Sequence, residues 1–158
     1  MTRIAAIILA ALAAHPVTAQ QADAAQSETA EETAEASIIR DGTDLTLEEF
    51  LWVARPVVVF ADSPNDPRFV QQMEEIRARE EALAYRDVVV LTDTDPSARS
   101  ALRRELRPRG FMLAIIGKDG TLITRKPLPW DVREITASID KLPLRQQEVR
   151  EQGAAGAR

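Results

Sequence analysis

The chain runs to 158 residues with 25 acidic and 20 basic side chains, a net charge of −5, a single histidine and no cysteine. The missing thiol excludes thiol–disulfide exchange and sulfenic-acid peroxidase chemistry by this chain. The one histidine, His15, falls in the N-terminal apolar segment, which leaves the rest of the chain without a Ser-His-Asp triad or a His-ligated metal.

Residues 1–19 read as a secretory signal. Arg3 supplies the basic start, Ile4 to Ala14 an apolar run of 11 residues, and Val17-Thr18-Ala19 the small or short side chains of a cleavage site. The run is shorter than the roughly 20 residues a membrane-spanning helix needs. The mature chain is therefore expected to begin at Gln20, to carry no transmembrane segment, and to reside in the periplasm or outside the cell. Residues 20–37 hold Asp23, Glu28, Glu31, Glu32 and Glu35 with no base, the composition of a flexible acidic leader. From Ile38 onward 19 bases face 20 acids, which is not the charge footprint of a nucleic-acid binder.

Thr46-Leu47-Glu48-Glu49 fits a capping box, and Leu47, Phe50, Leu51 and Ala54 recur at the spacing of a short amphipathic helix. Val57 to Ala61 follow as an all-apolar strand, which implies cover on both faces. Asp66-Pro67 opens a helix with Asp as N-cap and Pro at the first helical position. Phe69, Met73, Ile76 and Leu83 mark its inner face, and Glu75 and Arg79 form an i,i+4 pair. Val88 to Leu91 make a second apolar strand. Asp95-Pro96 repeats the helix start, with Ala98, Ala101, Leu102 and Leu106 carrying that helix to Arg107. Phe111–Ile116 and Thr121–Thr124 make two more strands, joined by the hairpin signal Gly117-Lys118-Asp119-Gly120. A last helix over Asp131–Asp140 faces Val132, Ile135 and Ile139 inward. Pro143 ends it, the charged tail frays after Arg145, and residues 151–158 are expected to be disordered. This order predicts an α/β fold over residues 38–150: a thioredoxin-like three-layer sandwich with a mixed central sheet of about four strands flanked by helices.

Three stretches carry a family resemblance: F-L-W-V-A-R-P-V-V-V-F-A-D-S-P-N-D-P-R from Phe50, R-G-F-M-L-A-I-I-G-K-D-G-T-L from Arg109, and I-D-K-L-P-L-R-Q-Q-E from Ile139. Together they resemble the uncharacterised thioredoxin-like domain of small secreted proteobacterial proteins, also present in vertebrate matrix proteins and called P-DUDES. The resemblance implies a fold and a secreted location and no activity. The segment from Arg109 is also similar to the thioredoxin stretch that carries a cis-proline, whose place Met112 would take. The loop Asp62-Ser63-Pro64-Asn65-Asp66-Pro67 stands where the redox cysteines would be.

The candidate sites lie in that loop, at the ends of the first two strands and in one basic cluster. Asp62, Ser63, Asn65, Asp66 and Met112 form the rim on which a binding surface is expected. Asp62, Asp66, Asp93 and Asp95 follow the first two apolar strands, and ligands of open α/β sheets gather beyond such strand ends. The four carboxylates either cap helices or converge on a hard cation such as Mg²⁺ or Ca²⁺, with metal-dependent hydrolysis as the matching chemistry. Arg99, Arg103, Arg104, Arg107 and Arg109 form a basic cluster, read either as a patch for an anionic partner or as a solvated helix face. Trp52 and Trp130 are expected to pack at helix ends. Arg145 and Glu148 read as a surface pair or a structural clasp. No cofactor is expected. The function this supports is a binding or interaction module without redox activity, whose partner is an unidentified protein or envelope component.

Overall fold

Val57, Val58, Val59 and Phe60 have no exposed surface, and their side chains alternate between two separate apolar clusters. That double burial is what an uninterrupted apolar strand requires, and it places this strand at the centre of the molecule. The computed structural model describes residues 37–156, so the expected signal and nearly all of the leader lie outside the described residues.

The strands are β1 (Ile39–Asp41), β2 (Arg55–Phe60), β3 (Val88–Asp93), β4 (Met112–Ile116) and β5 (Leu122–Lys126). They form one sheet in the order β1-β3-β2-β4-β5. β1 and β2 both run parallel to β3, whereas β4 is antiparallel to β2 and to β5. This mixed sheet with helices on both faces is an α/β, thioredoxin-like fold. It has five strands where the sequence pattern shows about four. β1 escapes the pattern because it is a three-residue edge strand without a fully buried side chain.

The helices are α1 (Pro67–Arg77), α2 (Glu80–Ala84), α3 (Ala101–Leu106), α4 (Val132–Asp140) and α5 (Pro143–Gly156). Met73 and Ile76 of α1, Leu83 of α2, and Val132, Ile135 and Ile139 of α4 cover one face with Val57, Val59 and Leu113. Leu102 and Leu106 of α3 cover the other with Val58, Phe60 and Ala114, joined by Leu47 and Phe50. The Asp66 and Asp131 side chains cap α1 and α4, accepting from Arg68 N at 2.9 Å and Arg133 N at 2.7 Å.

Several local expectations need correction. The helix from Leu47 closes after one 3-10 turn at Phe50, although Glu49 does reach back to accept from Thr46 N at 2.8 Å. Trp52 then turns left-handed at φ 61°, and its N–H donates to Lys118 O at 2.7 Å. Trp52 is thereby left 69% exposed instead of packed. Leu83 lies on α2, because α1 stops at Arg77, and Glu75 accepts from Gln71 instead of pairing with Arg79. The helix signalled by Asp95 is split: a 3-10 turn over Pro96–Ala98, then α3, separated by Arg99 at φ 49°. Pro143 both ends one helix and begins the next, and the expected frayed tail is the 14-residue α5.

Candidate functional site

Of the four aspartates thought to share a rim, three are occupied separately. Asp93, the last residue of β3, is buried and accepts from Ser100 Oγ, from Arg103 Nε at 2.8 Å and from Asp95 N at 3.2 Å. Asp66 holds Arg68, whose side-chain and backbone hydrogen bonds keep its carboxyl below the ordinary range. The Ser97 hydroxyl and N–H do the same for Asp95. Asp62 is largely exposed, with its nearest cation, Arg103 Nη1, 4.0 Å away. Ser63 Oγ accepts from Asn65 N at 3.2 Å and so shapes the loop itself. Among the described residues no three acidic or histidine side chains assemble as a metal-holding group.

The arginine cluster divides. Arg103 turns inward: besides Asp93 it donates to Ala61 O and Asp93 O, and its guanidinium lies 5.5 Å from the Phe60 ring centre. It ties the ends of β2 and β3 to α3. Arg99, Arg104, Arg107 and Arg109 stay on the surface. Arg107 ends α3 with a left-handed backbone, φ 49°, and directs the chain toward Arg109 and the start of β4.

Here two distant segments meet. A cleft of about 220 Å³ is walled by Arg107, Arg109, Arg125 and Lys126, with Phe111, Met112 and Pro127 as its apolar surface. No lining residue is acidic, and among the described residues none of the four cations makes an ion pair. Met112, expected on the rim, thus shares a site with Arg107 and Arg109 of the basic cluster. Arg125 and Lys126 were missed because they belong to another strand. The hairpin signal at 117–120 held the clue, since pairing back from that turn sets Lys126 opposite Leu113, next to Met112.

The other end of the sheet carries a second polar constellation. Arg55 is fully buried at the start of β2; it donates to Arg86 O at 2.8 Å and to Glu148 at 2.9 and 3.0 Å. Lys118 bridges Asp87 at 2.8 Å and Glu148 at 3.1 Å. Arg145, also buried, meets Glu148 at 3.3 Å and donates to Tyr85 O. Burial alone would push the Glu148 carboxyl up, but hydrogen bonds from Arg55 and Lys118 outweigh it and hold it below its ordinary value. Arg145 and Glu148 therefore belong to a clasp that seats α5 on the sheet. The three sequence stretches of the family resemblance converge here, through Arg55, Lys118 and the Asp140–Arg145 segment.

A family model described as a domain of unknown function, DUF4174, matches residues 46–148, a span that includes both ends of the sheet just described. No curated protein matches the chain. Among solved structures the chain is similar to the mitochondrial 2-Cys peroxiredoxin from Plasmodium falciparum, with 17% identity and a TM-score of 0.41 over 60% of this chain and 78% of that one.

Proposed function

The chain belongs to the DUF4174 family, whose domain has no assigned function, and from that premise we propose that it is a secreted, P-DUDES-type binding module that captures an anionic envelope component. One observation carries the reading: four cations and no acid surround an apolar-floored cleft beside Met112. Like charges held together without a counter-charge repel one another, and a bound anion relieves that repulsion. Phe111, Met112 and Pro127 add apolar contact for the part of the partner that carries the anion. The expected N-terminal signal supports export. Catalysis plays no part in this reading, because Asp66, Asp93 and Asp95 are already spent on Arg68, Ser97, Ser100 and Arg103, which leaves Asp62 as a lone carboxylate.

Heparin serves as the test polyanion, immobilised and titrated with the full chain. Affinity is expected to fall steeply as salt rises from about 50 to about 150 mM, where the screening length shrinks to about 8 Å. Arg107→Glu combined with Arg125→Glu should weaken binding by roughly tenfold or more at low salt. Equal affinity in that variant, or no binding at low salt, removes the cleft as the site.

A further inference from the structure

β5 is the last strand of the sheet, and β4 is its one neighbour there. Among the described residues no other strand, turn or loop bonds to its outer edge. Alternate residues of such an edge turn their N–H and C=O away from the sheet, a template for one more strand. The register shift between Ile115 and Ile116 leaves Ile123 as the extra residue of a bulge, and Ile123 borders Leu142 and Leu144 at the start of α5. The open stretch is therefore Thr124, Arg125 and Lys126, with Pro127 as its stop. So short a stretch suffices for pairing in this sheet, since β1 on the opposite edge has 3 residues.

The charges beside that stretch select the partner. Lys126 stands opposite Leu113, which packs on the α1–α4 side of the sheet, and Arg125 stands opposite Ala114, which packs on the α3 side. Residues opposite one another in a ladder share a face, so the two cations flank the same edge from its two faces. Arg107, at the end of α3, joins them in the basic cleft. A second copy of β5 laid alongside would crowd Arg125 and Lys126 of both copies onto one short ladder, and like charges there repel. An acidic strand meets attraction instead. Its consecutive side chains alternate between faces, so two adjacent carboxylates reach Arg125 and Lys126 together.

We propose that an extended peptide with two adjacent acidic residues adds to the β5 edge as a further strand. This rests on the reading of the basic cleft above and names its partner: the anion captured beside Met112 is a carboxylate pair on a protein strand. The peptide backbone bonds to Thr124–Lys126 and supplies affinity, while the cations on the two faces select the acids.

The test titrates acetyl-Thr-Val-Glu-Glu-Val-Thr-amide into the full chain and follows amide shifts and hydrogen exchange. A saturable response is expected, centred on Thr124, Arg125 and Lys126, with slower exchange in β5. N-methylation of both glutamates keeps the charges and spoils whichever edge of the peptide faces β5; it should weaken binding by at least about tenfold. Acetyl-Thr-Glu-Val-Glu-Val-Thr-amide, with both acids on one face, should bind about fivefold more weakly. Arg125→Glu with Lys126→Glu should lose the acidic peptide and gain its Lys-Lys counterpart, an exchange that a misfolded variant cannot show. Equal affinity for the N-methylated peptide means attraction by charge alone and overturns the added strand. Heparin binding without peptide binding overturns it too, and leaves the cleft standing as an anion site. Absence of both overturns the two readings together.

Discussion

Arg55 illustrates how a single side chain can tie together parts of the chain far apart in sequence. It starts β2, yet its guanidinium reaches Arg86 O before the Asp87 turn and Glu148 on α5. A fully buried cation of this kind is stable only while its partners remain, because stranding one charge costs about 3–5 kcal/mol. Arg55→Met is therefore expected to lower unfolding free energy by about that amount, measured by urea denaturation. Adding Glu148→Met should then cost less than it costs in the wild-type chain, since its pairing with Arg55 is already gone and only its contacts with Lys118 and Arg145 remain to be lost. A strictly additive double variant would show that Arg55 acts through packing and not through the pair.

At the scale of elements, the helices differ in what makes them form, and that decides which were legible. α1 and α4 have Asp N-caps and apolar side chains at helical spacing, and both begin where the sequence places them, although α1 stops at Arg77, short of Leu83. α5 has neither signal: its one buried residue is Arg145, so hydrophobic periodicity has nothing to detect. It is held by charge, through residues separated by up to 93 positions. α3 was displaced at its start for a different reason. Ser100, not Asp95, is its N-cap, accepting from Arg103 N at 3.1 Å while donating to buried Asp93. Losing a cap typically costs about 1 kcal/mol, and an unsatisfied buried carboxylate adds about 1–3 kcal/mol more. Ser100→Ala should thus destabilise the fold by about 2–4 kcal/mol in urea, whereas Ser97→Ala, on the exposed 3-10 turn, should cost well under 1 kcal/mol. Equal costs would place the anchor of this segment at Asp95.

For the whole molecule, the sheet was legible because β2, β3 and β4 are apolar at nearly every position, and the hairpin turn fixes β4 against β5. The sites were less so. Each is assembled from residues that only strand register and helix docking bring together, as with Arg109 and Lys126, or Lys118 and Glu148. The same assembly dictates a response to acid. Asp140 is held below its ordinary value chiefly by the hydrogen bond from Arg86, and Glu148 is held low against its burial by Arg55 and Lys118. Groups depressed in the folded state add stability that is complete above their unfolded values, near pH 4, and is lost as pH falls through the folded values. The urea midpoint is expected to be flat from about pH 7 to about pH 5.5 and to decline below about pH 4.5. Glu148→Gln should make that decline shallower, and an unchanged slope would remove the clasp as its source.

The two tryptophans stand in contrasting surroundings at opposite ends of β2. Trp52 projects into water beyond the start of the strand, while the half-buried Trp130 lies under the Lys126 ammonium, 4.4 Å from its ring centre. Lys126 is also a wall of the basic cleft. An anion that draws this lysine toward itself withdraws positive charge from the indole face and changes the emission of Trp130, while Trp52 continues to report bulk solvent. Under the proposed anion binding, Trp130 is expected to serve as an intrinsic optical gauge of cleft occupancy and Trp52 as its reference lamp.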